Sequence, residues 1–368
     1  MPYKEFKLPE YPYDCDIWDR LKKEERPIIV YGMGNGADKL IKRLSEYGIE
    51  VADFFASDGF VRGHSFHGKR VKSFSEIKDT YPDFVILLSF ASNRQDVIDI
   101  FSELNKKYDF LIPDMPVTDE NEYFDRNFYN KNYESIMKAY EALSDTDSKN
   151  LFAAVINYKL TGRLEYLLSA YSTKEEIYSK IGKKRIEVLI DAGAYNGDTL
   201  REAISFFSDL KKAYAIEPDK KTFKRLEKYV ENTAFPEICA LNAAAFSENG
   251  TGDFIGSGNR NSSVNSTASY QHKDFEIPLV RLDSVAASDK IDYVKYDVEG
   301  TEYEALLGSE GIIERDKPAL LVSLYHRSKD IFFLINYLSE KYKDYDLILR
   351  RTLCVPAWEI NLIMLPRT

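Results

Sequence analysis

Cysteine is scarce in this chain of 368 residues: Cys15, Cys239 and Cys354 are widely separated and odd in number. They suggest neither a disulfide framework nor a Cys-x-x-Cys metal site, and a reducing, cytoplasmic setting is expected. Positive charge is also in deficit, with 50 Lys and Arg against 60 Asp and Glu, a formal net charge of −10. That balance disfavours attraction to a phosphate backbone or an anionic membrane, so neither nucleic acid nor membrane is expected as a partner. Long apolar runs are missing too. No stretch approaches the ~20 residues a membrane helix needs, and Met1–Arg20 lacks the apolar core of a secretory signal. What is abundant is aromatic, 26 Tyr and 22 Phe, and most of these are expected to fill cores.

The length suits two domains. Pro27–Tyr31 is a short apolar run, followed by Gly32-Met-Gly-Asn-Gly-Ala37 and then by helical spacing over Asp38–Leu44, which reads as strand, glycine turn and helix. Strands at Ile49–Phe55 and Asp83–Ser89 complete a small Rossmann-like α/β domain within residues 1–115. Residues 116–182 read as a helical connector, with helices at Glu134–Leu143 and Leu151–Tyr158 and a capping pattern at Thr173–Glu176. From 183 to 368 the strand and helix alternation resumes. Ile186–Ile190 ends in Asp191, Ala213–Ile216 in Glu217, Ile238–Leu241 near Asn242, Ile291–Tyr296 in Asp297, and Ala319–Leu324 near His326. In an open parallel sheet these polar strand ends converge on one rim, where ligands bind. Tyr345–Leu349 and Glu359–Leu365 fit a closing antiparallel pair, and the polar stretch Gly250–Tyr270 reads as a mobile loop beside the site.

The turn Asp191-Ala-Gly-Ala-Tyr-Asn-Gly-Asp-Thr199 has two glycines where the backbone must bend and approach a ligand. Asp191 before it and Asp198 after it repel phosphate and suit a cationic ligand. S-adenosylmethionine has a sulfonium and an ammonium and no phosphate. Glu217, ending the next strand, can accept hydrogen bonds from both hydroxyls of a ribose.

These segments, with Ile216–Asp219, Leu241–Ala243, Arg281–Asp283 and above all Ile291-Asp-Tyr-Val-Lys-Tyr-Asp-Val-Glu-Gly-Thr-Glu302, resemble in order the motifs of the FkbM family of methyltransferases. The resemblance covers roughly residues 186–366. It implies a class I methyltransferase fold of seven strands with the last antiparallel, S-adenosylmethionine as methyl donor, and most often a hydroxyl acceptor on sugars or polyketide-like products. Carried over, Asp191, Gly193 and Gly197 line the methionine side, Glu217 holds the ribose, and Asn242 and Ala243 neighbour the adenine. The donor set is thus Asp191, Gly193, Ala194, Tyr195, Gly197, Asp198, Thr199, Glu217, Pro218, Asn242, Ala243 and Asp297.

Methylating a hydroxyl requires alignment and a base. Asp297 and Glu299 end the fourth strand, with Glu302 beyond them as a candidate helix cap. His326, whose imidazole titrates in the useful range, is the expected base. Asp297, Glu299 and His326 could instead ligate a divalent cation, but no second acidic pair follows the fifth strand, and no metal is assigned. The acceptor is expected to be a small sugar-like molecule, with a homo-oligomer left open.

Two alternatives stay open. Gly32–Ala37 matches G-x-G-x-x-A, with Asp53 or Asp58 near the end of the second strand, so an NAD-linked oxidoreductase is one reading. The N-terminal part also loosely resembles the Rossmann-like domains found before sugar-modifying transferases, where it would scaffold or dimerise. The other alternative is a noncatalytic module that binds S-adenosylmethionine. His64 and His67 have metal-like spacing but read as solvated turn residues.

Overall fold

Short, wholly buried apolar runs separated by helices leave parallel pairing as the economical arrangement, because each crossover covers a sheet face. The computed structural model describes residues 5–57, 59, 61, 63–118, 121–235, 237–255, 263–264 and 275–367. In the N-terminal part, β1 (Ile28–Tyr31) and β2 (Asp53–Phe55) precede a small hairpin, β3 (Ser65–Phe66) with β4 (Lys69–Arg70). They are followed by β5 (Val85–Leu88) and β6 (Asp109–Leu111). The sheet order is β2-β1-β5-β6, all parallel. The helix after β1, Asn35–Glu46, begins inside the glycine turn, three residues earlier than its apolar spacing suggests. The second strand is shorter than expected, because residues 49–52 are spent leaving the helix.

The second sheet is built from β7 (Val188–Ala192), β8 (Lys212–Ile216) and β9 (Ile238–Leu241). After the short β10 (Ala244–Ala245), β11 (Gly250–Ile255), β12 (Ser263–Val264) and β13 (Phe275–Val280), the chain returns through β14 (Tyr293–Tyr296), β15 (Ala319–Ser323), β16 (Tyr345–Arg351) and β17 (Ile360–Pro366). Its order is β16-β17-β15-β14-β7-β8-β9. Only β17 runs antiparallel to its neighbours, pairing Tyr345 with Pro366 on one side and Leu320 with Met364 on the other. This is the expected seven-stranded class I methyltransferase sheet. The chain moves outward from β7 to β9 and then resumes at β14 on the other side of β7. The crevice at that reversal, above the ends of β7 and β14, is where such sheets bind ligands.

The stretch expected as a mobile loop is in part a strand: β11 pairs antiparallel with β13, Thr251 opposite Pro278. Apart from Ser263 and Val264, residues 256–270 lie outside the described residues. The connector holds five helices, at Arg126–Lys131, Tyr133–Ala142, Thr146–Thr161, Leu164–Leu168 and Lys174–Ile181. Thr146–Thr161 is buried nearly all round, so no amphipathic period marks its ends. Asp145 caps it, accepting the Ser148 N–H at 2.7 Å, and also binds Arg350 of β16 at 2.9 Å. One hydrophobic core runs without interruption from Phe6, Ile86 and Phe110 through Phe152 and Tyr158 to Ile190, Val294 and Met364. Among the described residues, no helix is long and apolar enough to cross a membrane.

Candidate active site

The turn after β7 is shaped by backbone contacts rather than by side chains. Gly193 has φ 84° and Tyr195 φ 49°, and the N–H groups of Gly193 and Ala194 both donate to Ile216 O, at 2.9 and 3.0 Å. A Cβ on Gly193 would lie 1.8 Å from Asp297 O, so glycine there lets the donor turn touch the end of β14. Gly197 (φ 82°) serves another purpose, since its Cβ would meet the Tyr229 ring at 2.7 Å. It brings the helix Lys220–Asn232 close and does not face the cleft.

Glu217 stands at the centre of the donor side. Its carboxylate accepts the Tyr195 N–H at 2.9 Å through Oε2 and the Asp219 N–H at 2.8 Å through Oε1. Each oxygen retains a lone pair for a further donor. Burial pushes its pKa up to about 8 against those two bonds. Asn242 stands behind it, donating to Glu217 O at 2.8 Å and Pro218 O at 2.9 Å, so it fixes the turn that presents the acid. Ala243 is in the core, and the cleft wall on that side is Ala244 and Ala245. Ala194 is likewise buried, whereas Gly193, Tyr195, Asp198, Thr199, Glu217 and Pro218 line the cleft.

Asp191 lies beneath the turn. Thr199 Oγ1 donates to it at 2.6 Å, and Lys295 Nζ stands 3.4 Å away on the paired strand. Burial raises the Asp191 pKa, against the pull of Lys295 and Thr199. Lys295 also reaches Asp297 Oδ2 at 3.1 Å. Burial would lower its pKa, but Asp297 and Asp191 outweigh that and hold it protonated. A lysine in the otherwise apolar strand Tyr-Val-Lys-Tyr was the signal for this role, and spacing alone did not expose it.

Three carboxylates follow β14, with three different environments. Asp297 is the most engaged: besides Lys295 on Oδ2 it accepts Ser323 Oγ and Tyr325 OH on Oδ1, each at 3.0 Å. Burial would raise its pKa, yet Lys295 and His326 hold it well below the usual carboxylate range. Glu302 Oε1 accepts the N–H groups of Val298 and Gly300 at 3.0 and 3.4 Å and binds His326 Nδ1 at 2.8 Å. It therefore closes the turn 298–302. Glu299, held at φ 54°, lies between them with its Oε2 3.5 Å from His326 Nε2. Burial pushes the Glu299 pKa up to about 8, reinforced by Asp297 and Glu302 and opposed by His326.

His326 itself is fully buried. Burial would lower its pKa, but Glu302 and Glu299 raise it to about 10. His326 does not line the cleft: Glu302 holds its Nδ1 and its Nε2 faces Glu299, so the residue expected as the base stands behind the carboxylates that line the cleft. Asp297 and Glu299 do line it. Among the described residues, no group of three or more His, Cys, Asp or Glu is arranged to hold a metal ion.

The rest of the cleft comes from places the sequence did not connect. Tyr325, Thr352, Glu359 and Asn361 form one wall, Lys174 and Tyr178 of the connector another, and Asn93 of the N-terminal part reaches in from a third. Asn93 follows a two-hydrogen-bond bridge between Ser92 and Val355 at 2.8 and 2.9 Å.

The first glycine turn differs from a dinucleotide site. A Cβ on Gly36 would lie 2.2 Å from Ser89 O, and one on Gly32 would strike Phe90 and Ser89, so both glycines are used for packing. Asp53 begins β2 rather than ending it and is paired with Lys72 and Tyr81, away from the turn. The expectation that Asp53 lies near the end of the second strand is thereby corrected. Asp58 lies outside the described residues. His67 binds Asp38 at 2.7 Å on the surface.

Residues 191–347 match the family model described as the methyltransferase FkbM domain. No curated protein matches the chain. Among solved structures, the methyltransferase FkbM of Methylobacillus flagellatus KT aligns over 98% of this chain and 94% of its own, with 20% identity and a TM-score of 0.70. That likeness shows a shared fold through both sheets and the connector. An rRNA methylase of Streptococcus thermophilus (13% identity, TM-score 0.35) covers 53% of this chain and 94% of its own. A Streptococcus mutans protein solved in complex with SAH (13%, TM-score 0.34) covers 53% and 96%. Residues 191–347 of this chain are thus similar to the methyltransferase FkbM domain, within a fold shared with a solved methyltransferase over nearly the whole chain.

Proposed function

We propose that the protein transfers a methyl group from S-adenosylmethionine to a hydroxyl of a neutral, sugar-like acceptor, with Glu299 as the base. The observation that carries this reading is the contrast between Asp297 and Glu299. Asp297 accepts three donors, from Lys295, Ser323 and Tyr325, whereas the Glu299 carboxylate lines the cleft with, among the described residues, the His326 ion pair beside it.

The donor side fits a cation without phosphate. Asp198, Glu217, Asp297 and Glu299 line the cleft, and Lys295 is consumed by Asp191 and Asp297. Glu217 has lone pairs suited to a ribose diol. Gly193 and Tyr195 would border the methionine portion, and Ala244 and Ala245 supply an apolar wall suited to a purine. Bound there, S-adenosylmethionine supplies an activated methyl on sulfur whose leaving group is a neutral thioether.

On the other side, Asn93, Tyr325, Thr352, Glu359 and Asn361 offer amide, hydroxyl and carboxylate groups, the set that exchanges hydrogen bonds with several hydroxyls at once. The acids there disfavour a phosphorylated or carboxylated acceptor. Glu299 takes the proton of the hydroxyl as its oxygen forms the new bond to carbon, and His326 stabilises the carboxylate until that moment. Asp297 stays ionised and fixes Lys295, Ser323 and Tyr325 around the reacting centre.

Calorimetric titration with S-adenosylhomocysteine and with NAD tests the donor, and labelled methyl transfer to a panel of sugars and glycosides tests the acceptor. Binding of S-adenosylhomocysteine and not NAD is expected. Its failure to bind would overturn the assignment. Glu299→Gln should lower turnover by about 10²–10⁴-fold, the usual contribution of a general base, with donor affinity within about threefold of wild type.

A further inference from the structure

The acid-bearing turn 298–302 is gripped from the N-terminal part of the chain. After β6 the segment 112–118 leaves the first sheet and crosses to the methyltransferase half. There Thr118 donates both its N–H and its Oγ1 to His326 O, each at 3.3 Å. The methyl of the same threonine covers Gly300, where an added Cβ would meet it at 2.8 Å. One side chain therefore touches the residues on both sides of Glu299's environment.

Thr118 is in turn held by Lys39, in the helix Asn35–Glu46 that follows β1. Its ammonium donates to Val117 O at 2.8 Å and to Pro116 O and Thr118 O at 3.3 Å. A cation near the start of a helix opposes the helix dipole, so Lys39 is not chosen for that helix. Its three carbonyl partners give it a different purpose, which is to hold the strap. The contacts then close on themselves: Lys39 to Thr118, Thr118 to His326 and Gly300, His326 to Glu302, and Glu302 back to Val298 and Gly300. Glu299 is enclosed by this ring. Simple attachment of the two halves is an insufficient account, because the shared hydrophobic core already joins them.

We propose that Lys39 and Thr118 are positioning residues for methyl transfer, fixing the imidazolium of His326 against the Glu299 carboxylate from outside the methyltransferase half. The inference rests on Glu299 being the base. The charged groups facing that carboxylate are His326, Asp297, Glu302 and Glu217, with Arg327 against Gly300, Lys295 behind Asp297 and Asp330 behind His326. The strap's contacts here are with His326 O and, through the Thr118 methyl, with Gly300 of the turn.

The test reads the histidine directly. The chain has four histidines, so the 15N-labelled imidazole of His326 can be assigned by its loss in His326→Gln and followed by NMR at pH 8. Lys39→Met and Thr118→Gly are each expected to shift both ring nitrogens of His326. Their affinity for S-adenosylhomocysteine should stay within about threefold of wild type, and Lys39→Arg should restore the native shifts. His326 signals in both variants that superimpose on wild type would overturn the proposal. A shift accompanied by an equal collapse of donor affinity would also overturn it, as general loosening. Thr118→Val, which keeps the methyl and loses one hydrogen bond, gives a milder second reading if Lys39→Met does not fold. Failure of the wild-type protein to bind S-adenosylhomocysteine would sink the donor assignment while leaving the imidazole measurement readable.

Discussion

Replacing Gly193 by alanine should damage both the fold and the donor site, by an amount the geometry sets. The added Cβ would lie 1.8 Å from Asp297 O and 2.7 Å from Asp297 C, where real contacts essentially never fall below 3.0 Å. Both obstacles are backbone, so the ends of β7 and β14 must separate by more than about 1 Å. That movement breaks the Asp297 N–H to Ala192 O hydrogen bond of 3.0 Å. The left-handed φ of 84° adds about 1–2 kcal/mol for any residue with a Cβ, and overpacking adds about 1–3 kcal/mol. At about 2–4 °C per kcal/mol, the total of about 2–5 kcal/mol should lower Tm by roughly 4–20 °C. A displacement of about 1 Å between Tyr195, Glu217 and Asp297 should also weaken productive alignment by about a hundredfold. Thermal melting and calorimetry with S-adenosylhomocysteine measure the two effects. Gly250→Ala is the control, because nothing lies within 4 Å of its Cβ position. A Gly193→Ala protein that melts within about 2 °C of wild type and binds the donor product equally well would refute the argument.

Turnover should depend on pH in a direction fixed by Glu299. Its acid form, stable below about 8, cannot take a proton, so activity should rise as pH passes through about 8. It should hold until His326 loses its proton near 10. A flat profile between pH 6 and 9 measured with labelled donor would count against Glu299. Asn242→Ala removes two hydrogen bonds that pin the turn presenting Glu217. At about 0.5–1.5 kcal/mol each, the two bonds total about 1–3 kcal/mol, so donor affinity should fall by up to about 150-fold in calorimetry while circular dichroism shows the overall fold intact.

The succession of strands along the second half was legible because most are continuous apolar runs closed by a polar residue, and their limits shift slightly, as with Val188–Ala192 in place of Ile186–Ile190. The short strand Phe275–Val280 was not read, since its pairing with Gly250–Ile255 spans a long polar stretch that offers no local pattern. In the site, the glycine turn and Glu217 were legible because backbone geometry and a strand end suffice to place them. The two glycines of that turn look alike in sequence, yet Gly193 admits the end of β14 and Gly197 admits a tyrosine ring. The surroundings of His326 are tertiary: Glu302, which opens the helix Glu302–Leu307, binds its Nδ1, and a sequence gives the residue type without the partner. Asn93 was invisible for the same reason, because it reaches the cleft from the other sheet.

Glu299 carries a further consequence through its backbone. With φ at 54°, it occupies a conformation that costs a residue with a side chain about 1–2 kcal/mol and costs glycine almost nothing. A lineage selected for thermal endurance alone would drift toward glycine at this position and lose the acid. Retaining glutamate there is therefore a compromise between durability and turnover, and a survey of stabilising replacements in this protein should find its sharpest conflict between the two at residue 299.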